Sequence, residues 1–402
     1  MTFAEAILRY VPKPLRVSLQ RFVSVDRLKM AHFERVRAGL GSGITTYTPN
    51  IGLPRVGVLT NRASYHRYHL QACIELHVPC VTIDILAADW WEIAQRERCD
   101  AYLCWPDATL NSMAKVVKDR IDLLEQATGR PVVPGSKERW LYEDKQRLAE
   151  WLSVHEIAHP TTRVFVSAEA AASYAGSVDL PIVVKTSFGA AASGVTIVRK
   201  RAQLRSLVKA AFGRGIVARG HDHRDRQRGM IIFQEYVDII NEWRVLRTGR
   251  RYMVRLKERV GDFHSGSGSV TWAQPREGLL DFCHHWTEQY GLEFAAIDVF
   301  ETRDGRLLVN EVQAVVGPIT TENTERGSEH RGWWLPKRDG EDWRFVPGQA
   351  YRNAASNERV VALLEATGFA FSLRDGCFVL ASADQPLRST SYEHERKRPE
   401  SG

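Results

Sequence analysis

The sequence predicts an α/β domain with a parallel sheet, followed by a longer region of mixed α+β structure. Between residues 51 and 130, apolar runs such as Val56–Thr60 and Cys80–Asp84 alternate with helical patterns, which is typical of βαβ units. After Pro160 the apolar runs become more frequent, and helical patterns separate only some of them. The first strand is not followed by GxGxxG, so the sequence lacks a dinucleotide-binding fingerprint.

Hydrophobic periodicity defines the individual elements, because side chains repeat every second residue in a strand and every three to four residues in a helix. Leu148, Trp151 and Leu152, for example, share one helical face. We predict strands at 56–60, 80–84, 101–105, 182–184, 196–198, 231–233, 244–246, 252–254 and 307–309, and helices at 65–76, 90–95, 110–127, 144–152, 168–176, 201–212 and 278–290.

The length of 402 residues is too great for one ordinary core. The N-terminal stretch interleaves basic and apolar residues, which allows a membrane-surface role, although packing onto the rest of the protein is the simpler interpretation. The expected divisions are a basic helical extension (1–50), a substrate domain (51–130), a main domain (131–325), a C-terminal extension packed on it (326–383) and a disordered tail (384–402).

Composition indicates a globular protein, with 44% hydrophobic and 26% charged residues. No apolar run is long enough to cross a bilayer and no secretory signal is evident, so we expect a cytoplasmic protein without integral membrane association. The net charge of +7 lies partly in local runs such as Arg199–Arg201, so it does not indicate a nucleic-acid partner. Six scattered cysteines without a CxxC pair predict neither a zinc site nor a structural disulfide, and we expect Cys80 and Cys104 to be buried thiols.

Two lysines and a loop of small residues form the first chemical signal. Lys145 begins a short predicted helix, and Lys185 ends a predicted strand. The loop at 186–194, which includes Ser187 and Gly194, is rich in small residues, so its backbone amides can approach phosphate oxygens closely. Taken alone, the same pattern also fits a hairpin turn with a solvated lysine.

The second signal is an apolar strand that runs into acceptor-bearing side chains at Gln234, Glu235, Tyr236 and Val237. An adenine ring needs an apolar slot and a few hydrogen bonds. Glu235 and the backbone of Val237 can supply those bonds. Further along the chain, Glu242 is a candidate for the ribose hydroxyls.

The third signal is a set of oxygen ligands on two neighbouring strands. Asp298 lies in one strand, and Glu311 and Gln313 lie in the next, where alternation sends both side chains to the same face. Magnesium prefers few carboxylates together with phosphate oxygens and water, which fits this set. Each carboxylate alone would fit a surface or capping role, but their order after the two lysines favours a metal site.

In this order, the segments resemble the ATP-grasp superfamily over residues 131–320, and most closely its glutathione-synthetase-like and ribosomal-protein glutamate-ligase-like branch. The resemblance implies an ATP-grasp fold, an N-terminal pre-ATP-grasp domain, and ATP with Mg²⁺ or Mn²⁺ as cofactors. It also implies that Lys145 and Lys185 bind the phosphates and that Gln234 to Val237 bind the adenine. Glu242 would bind the ribose, and Asp298, Glu311 and Gln313 would bind the metal.

The resemblance also implies an activity, in which the γ-phosphoryl group of ATP passes to a carboxylate and an amine attacks the acylphosphate. The partners would be small-molecule carboxylate and amine substrates, and the fold type is compatible with a homodimer. Arg255 and Lys257 alternate on one strand and point the same way. Arg255 matches the family's cation near the transferring phosphate, so both are predicted catalytic residues.

Two departures from the family pattern keep alternatives open. Gln313 replaces the usual asparagine, and the loop at 186–194 is poorer in glycine than its counterparts. Both features motivate a nucleotide-binding regulatory protein without turnover. A kinase or carboxylase of the same superfamily, acting on another acceptor, is a further alternative.

Weaker candidates lie in three other places. The loop at 264–269, which begins with His264, would either close over the reacting groups or serve as a linker. At the predicted carboxyl edge of the N-terminal sheet, candidate substrate contacts compete with capping roles. Three tryptophans after residue 326 would shape an acceptor pocket or a dimer contact. These residues are Asn61, Arg62, Tyr65 and Asp107 at the sheet edge, and Trp333, Trp334 and Trp343.

Overall fold

The computed structural model describes residues 46–49, 52–61, 65–106, 111–189, 193–218, 225–260, 263–264, 270–317, 325–336 and 342–380. The predicted N-terminal helices and C-terminal tail lie outside the described residues, as do Arg62, Asp107 and the loop at 265–269. Within these ranges the chain forms three sheets of four or more strands and two small hairpins.

A five-stranded sheet forms the N-terminal part of the described chain. Its strands are β1 (Thr46–Tyr47), β2 (Val56–Thr60), β3 (Cys80–Asp84), β4 (Ala101–Leu103) and β5 (Val132–Val133), and its helices are α1 (His66–Glu75), α2 (Trp90–Glu97) and α3 (Asn111–Thr128). The strand order is β1-β3-β2-β4-β5, in which only β1 is antiparallel. This arrangement confirms the predicted parallel βαβ units, although β4 ends at Leu103 rather than at Trp105.

A four-stranded antiparallel sheet follows. Helices α4 (Ser136–Leu141) and α5 (Lys145–Val154) precede it, its strands are β6 (Thr162–Phe165), β7 (Ile182–Lys185), β8 (Val195–Val198) and β9 (Ile231–Glu235), and α6 (Ala168–Ser177) and α7 (Arg201–Phe212) cover it. The order is β6-β9-β7-β8, so β7 lies inside the sheet. The two covering helices bury Ala171, Leu204 and Val208 against these strands.

The third sheet has seven strands and receives most of the remaining chain. Its strands are β10 (Ile239–Thr248), β11 (Arg251–Lys257), β14 (Val270–Trp272), β15 (Phe294–Thr302), β16 (Leu307–Gln313), β17 (Gly332–Leu335) and β18 (Arg344–Pro347), with a hairpin of β12 (Arg259–Val260) and β13 (Phe263–His264) and the helix α8 (Leu279–Gln289) between them. The order is β16-β15-β10-β11-β17-β18, and β14 pairs with β11.

Strand alternation divides this large sheet into an apolar face and a polar face. Val245 and Ile297 are fully buried in a core that α5 and α8 share. On the opposite face, Arg244 pairs in register with Asp298 on one side and with Arg255 on the other. Charged side chains from three strands therefore lie together on one face.

The C-terminal part of the described chain reaches back to the N-terminal sheet. Helix α9 (Ser356–Ala366) buries Val360 and Leu364 in the core that also contains Val56 and Leu103. A hairpin of β19 (Phe371–Arg374) and β20 (Cys377–Leu380) follows it. The C-terminal extension thus packs on both the large sheet, through β17 and β18, and the N-terminal sheet.

The turn that leads into α9 has an unusual backbone. Tyr351, Asn353, Ala354 and Ala355 have φ angles of 69°, 47°, 54° and 62°, in the left-handed region that non-glycine residues seldom adopt. Such conformations persist where surrounding contacts impose them.

The three tryptophans singled out after residue 326 lie against other parts of the chain. Trp333 and Trp334 are 2% and 8% exposed and lie in two different cores, so this chain itself covers both side chains. Trp343 packs on Tyr252 and donates Nε1–H to Asp281 at 2.8 Å.

The six cysteines are free thiols, and Cys80 and Cys104 are fully buried as predicted. In the part of the chain that is described, no helix has the length and apolar character needed to cross a membrane.

Candidate active site

Lys145 is held at the start of α5 by the turn that follows β7. Its backbone N–H donates to Ser187 O at 2.9 Å, and its Nζ donates to Gly189 O at 2.8 Å. The preceding residue, Asp144, caps α5 by accepting from Arg147 N–H, and it also accepts from Ser187 Oγ at 2.7 Å. The helix start and the loop after β7 are therefore one hydrogen-bonded unit.

Two glycines let this loop fold tightly, even though the loop is poor in glycine. Gly189 has a φ of 128°, in a region that favours glycine. At Gly194, an added Cβ would collide with Thr186 Oγ1 and lie 2.9 Å from Phe188 O, so no side chain fits without a shift. The few glycines present are those that the backbone requires.

The two lysines meet strand β16 across the gap between the small and the large sheet. Lys185 Nζ donates to Asn310 Oδ1 at 3.2 Å, and Lys145 Nζ lies 3.5 Å from Glu311 Oε1. Lys185 is 9% exposed, and burial together with the nearby Lys145 charge lowers its pKa to about 8. The structure thus brings these distant residues into contact where the small and the large sheet meet, which is the candidate cleft.

A buried ion-pair network covers the polar face of the large sheet beside this cleft. Asp298 is fully buried and accepts from Arg244 Nε and Nη2 at 2.7 and 2.8 Å, and Lys257 contacts it as well. Lys257 Nζ also donates to Glu242 Oε1 at 2.6 Å. Burial alone would raise the pKa of Asp298, but the two cations outweigh it and bring that pKa down to about 2.

This network assigns protein partners to three predicted site residues. The predicted catalytic Lys257 donates both to the predicted metal ligand Asp298 and to the predicted ribose acid Glu242. The carboxylate of Asp298 therefore faces cations on both of its oxygens.

Arg255 differs from these neighbours because two of its nitrogens, Nε and Nη1, have no hydrogen-bond partner among the described residues. Its side chain is 1% exposed, and its Cζ lies 4.8 Å from the ring centre of Tyr351 and 5.7 Å from that of Trp272. Burial lowers the pKa of Arg255 to about 10, and the Arg244 charge acts in the same direction. A buried guanidinium in this state is suited to an anionic ligand.

Glu311 and Gln313 lie on β16 with their partly exposed side chains toward the two lysines. The side chain of Glu311 is 24% exposed, and register pairs Glu311 with Asp298 and Gln313 with Ala296. Glu143, which has a left-handed φ of 54°, hydrogen-bonds Gln313, and burial raises the pKa of Glu143.

These side chains offer a carboxylate and an amide oxygen at one place. Among the described residues, no group of three or more His, Cys, Asp or Glu has a metal-binding arrangement. A donor set of this size fits Mg²⁺, because that ion usually completes its shell with phosphate oxygens and water.

The predicted adenine-binding residues lie where β9 ends. Gln234 is buried and donates Nε2–H to Thr162 Oγ1 at 2.9 Å. Glu235 Oε1 accepts from the backbone N–H of Thr161, the residue before β6, at 2.9 Å. Tyr236 is 37% exposed, and Val237 is half-buried. Tyr236 and Val237 form the link between the small and the large sheet.

Sequence reasoning missed three polar residues at the site. Gln227 Oε1 accepts from Ser187 N–H at 2.6 Å and supports the loop, but a lone glutamine has no recognisable spacing. Asn310 lies at an irregularity in the pairing of β15 with β16, and such a bulge turns a side chain in a way that simple alternation cannot predict. Glu143 lies two residues before Lys145, but nothing in the sequence indicates its left-handed backbone conformation.

The weaker candidates have mixed outcomes. Asn61 Nδ2 donates to Trp105 O at 2.6 Å, and Tyr65 stacks on Trp105 at 5.0 Å between ring centres, both at the carboxyl edge of the N-terminal sheet. The backbone of His264 belongs to β13, whereas its side chain lies outside what the structure describes.

Comparison with known proteins identifies one domain of the chain. Residues 142–328 match the RimK-like ATP-grasp domain. None of the curated proteins matches the sequence. The chain is similar to the RimK domain protein ATP-grasp from Sphaerobacter thermophilus DSM 20745, with 19% identity and a TM-score of 0.47 over 64% of this chain and 90% of that chain.

Two further solved structures have a similar fold at 10% identity. One is N5-carboxyaminoimidazole synthetase from Staphylococcus aureus, with a TM-score of 0.50 over 80% of this chain and 79% of that chain. The other is carboxyaminoimidazole ribonucleotide synthase from Aspergillus clavatus, complexed with ATP, with a TM-score of 0.51 over 82% and 80%. Together with the domain match, these likenesses confirm the predicted ATP-grasp fold.

Proposed function

Because residues 142–328 form a RimK-like ATP-grasp domain, we propose that this protein is an ATP- and Mg²⁺-dependent ligase that joins a carboxylate to an amine. The observation that carries the proposal is the meeting of Lys145 and Lys185, from one side of the cleft, with Glu311 from the other. Phosphoryl transfer requires positioning and charge neutralisation more than covalent help, and these groups supply both.

In this proposal the phosphates of ATP lie between the two lysines and the loop at 186–194. Lys145 would exchange its bond to Gly189 O for one to a phosphate oxygen. Lys185 would likewise exchange its bond to Asn310 Oδ1 for one to a phosphate oxygen. The backbone N–H of Gly194 would complete the binding of the anion. The Ser187 N–H would join it by exchanging Gln227 Oε1 for a phosphate oxygen.

Glu311 and Gln313 are the residues that would hold the divalent ion, Mg²⁺ or Mn²⁺, together with phosphate oxygens. The ion would offset the negative charge of the phosphates. Asp298 would join this ligand set only if Arg244 or Lys257 released its carboxylate.

The nucleoside would bind along the link between the two sheets. Tyr236 and Val237 offer an exposed ring and backbone groups, supported by the bonded Gln234 and Glu235. Glu242 would accept from the ribose hydroxyls through Oε2, while its Oε1 stays bonded to Lys257.

The reaction then has two balanced steps. A carboxylate oxygen of the first substrate attacks the γ-phosphorus, the bond to the ADP oxygen breaks, and an acylphosphate forms. The amine nitrogen attacks the acyl carbon, the C–O bond to phosphate breaks, and the amine loses a proton. Arg255 would bind the reacting carboxylate and the phosphate oxygens, while Lys257 would keep Glu242 and Asp298 in place.

A regulatory protein that binds nucleotide without turnover is the second candidate. It is favoured by the complete pairing of Asp298 with Arg244 and Lys257, and by Gln313 in place of the family's asparagine. A cytoplasmic location and a homodimer stay predictions from the sequence.

A phosphate-release screen over pairs of carboxylates and amines tests the proposal. We expect release that depends on ATP, Mg²⁺ and both substrates, and a loss of about 100-fold or more in Glu311→Gln. Glu288→Gln is the matched control, because that side chain is 61% exposed and pairs with Arg247 away from the cleft. ATP binding without phosphate release from any pair would favour the regulatory candidate.

A further inference from the structure

Buried polar atoms without partners are concentrated where α9 begins. Nε and Nη1 of Arg255, Nε of Arg359 and Oγ of Ser356 have no hydrogen-bond partner among the described residues. These residues are only 1%, 4% and 0% exposed, respectively. One acceptor of the same turn, Glu358 Oε2, also has no partner among the described residues. Buried polar groups are normally hydrogen-bonded, and the unsatisfied donors outnumber this acceptor, so the cluster indicates a further acceptor.

The turn at 351–355 brings these groups together. The Cζ atom of Arg255 lies 4.8 Å from the ring centre of Tyr351, and Arg359 Nη1 donates to Ala354 O at 2.9 Å. Ser356 follows this turn as the first residue of α9. The guanidinium group of Arg255, from the large sheet, and that of Arg359, from the first turn of α9, therefore lie beside the same turn. The Ser356 N–H is already bonded to Asn353 O, so the side chains are the free donors of this cluster.

Glu358, the acid of this turn, serves to hold it in place. Its Oε1 accepts from Tyr351 N–H at 2.8 Å and from Trp333 Nε1–H at 3.1 Å. Burial raises the pKa of Glu358. Even with an ionised Glu358, two guanidinium groups, those of Arg255 and Arg359, stand against one carboxylate. The cluster keeps a net positive character.

The walls of this cluster come from the N-terminal sheet. Arg359 Cζ lies 6.0 Å from the ring centre of Trp105, and Tyr65 stacks on the same Trp105. The cluster thus extends from Arg255 on the large sheet to the carboxyl edge of the N-terminal sheet. Arg359 belongs to the C-terminal extension, beyond the residues that match the ATP-grasp domain.

From this geometry, and resting on the ligase function proposed above, we propose that the substrate carboxylic acid carries a second anionic group. Arg255 binds the carboxylate that reacts. Arg359 and the Ser356 hydroxyl bind the second group, a carboxylate or a phosphate. Arg359 is thereby a specificity-determining residue that selects dianionic acids over monocarboxylates of similar length.

Thermal unfolding without nucleotide tests this proposal separately from turnover. The probes are glutarate as a dicarboxylate, phosphoglycolate as a phosphorylated acid, and butyrate as a monocarboxylate. We expect glutarate or phosphoglycolate to raise the Tm of the wild-type chain by about 3–5 °C at saturation, with no shift from butyrate. No shift from either dianion, or equal shifts from all three acids, would overturn the proposal.

Variants identify the residues responsible. Arg359→Lys should abolish the dianion shift, whereas Arg251→Lys should retain it, because Arg251 binds Glu365 near the opposite end of α9. A dianion shift that survives in Arg359→Lys would refute the assignment. If that variant does not fold, Ser356→Ala is the deciding variant. We expect it to bind the dianions several-fold more weakly than the wild type, and an unchanged affinity would contradict the proposal.

The two proposals fail in different ways. A dianion shift that depends on Arg359, in a protein that releases no phosphate, would reject the ligase function and keep the anion site. Phosphate release with equal KM for glutarate and butyrate would keep the ligase function and reject Arg359 as the selecting residue.

Discussion

Close packing inside the loop between β7 and β8 gives single residues a large effect. In Gly194→Ala, the new Cβ would collide with Thr186 Oγ1 and lie 2.9 Å from Phe188 O, so the loop must shift. We expect the affinity for ATP to fall by about tenfold or more, which corresponds to about 1.4 kcal/mol. Isothermal titration calorimetry measures this change.

Gly176→Ala provides the matched control for this substitution. Gly176 lies in α6, and an added Cβ would have nothing within 4 Å. Alanine should therefore increase the free energy of unfolding by up to about 1 kcal/mol and leave ATP affinity unchanged. Equal affinities for the wild type and Gly194→Ala would contradict the role of the loop.

His69 predicts a pH dependence of stability. Its ring is fully buried, and burial together with the Arg359 charge lowers its pKa from 6.5 to about 3. Between these two values the unfolded chain binds one more proton than the folded chain. The free energy of unfolding should therefore fall as pH decreases through this window, by up to about 1.4 kcal/mol per pH unit.

His69→Gln isolates this contribution, because glutamine can still donate to Cys104 O, which His69 Nε2 contacts at 3.1 Å. Urea unfolding at pH 6.5 and pH 5 should give a smaller pH dependence for the variant than for the wild type. The same dependence in both proteins would show that His69 is not responsible.

Sequence reasoning at this scale succeeded where alternation decides the outcome. Arg255 and Lys257 lie on one face as predicted, because residues two apart on a strand must do so. It could not foresee that Lys257 would bond Glu242 and Asp298, since ion pairing depends on which strands become neighbours.

At the scale of elements, the start of α5 links helix stability to the candidate phosphate site. Asp144→Ala removes the helix cap and the bond from Ser187 Oγ, so we expect a loss of about 1–3 kcal/mol in the free energy of unfolding. ATP affinity should also fall several-fold, because Lys145 loses its anchor. Urea unfolding and nucleotide titration measure the two effects.

Ser167→Ala separates the two effects. Ser167 caps α6 by accepting from Ala170 N–H, and α6 covers the small sheet rather than bordering the cleft. This variant should lose about 1 kcal/mol of stability and keep normal ATP affinity. An equal loss of ATP affinity in both variants would remove the specific role of Asp144.

Elements with strong periodicity were predicted closely, and short ones were not. Helix α7 has the predicted bounds of 201–212, because its apolar residues repeat clearly over three turns. Strands β17 and β18 were not predicted, since four residues carry little periodicity and their strand structure depends on pairing with β11 and with each other.

At the scale of the whole molecule, the C-terminal extension joins the N-terminal sheet to the large sheet. Val360, Val361, Leu363 and Leu364 of α9 are at most 3% exposed, and their burial contributes about 6–12 kcal/mol. Because that range is comparable to the total stability of a domain, deletion of residues 342–402 should yield insoluble or unfolded protein. Deletion of residues 384–402 should leave circular dichroism and Tm unchanged. A folded protein after the longer deletion would contradict this account.

The convergence of distant segments was predictable only through their order along the chain. Lys145, Lys185 and Glu311 follow the family pattern, and periodicity alone could not have placed them in one cleft. The contact of α9 with the N-terminal sheet lies outside that pattern, so the buried junction around Arg359 became evident only from the structure.

The most direct measurement is a crystal structure with a non-hydrolysable ATP analogue and Mg²⁺. Our account predicts that phosphate oxygens contact Lys145 and Lys185, with the divalent ion between those oxygens and Glu311. A triphosphate bound elsewhere, or bound with neither lysine in contact, would contradict it.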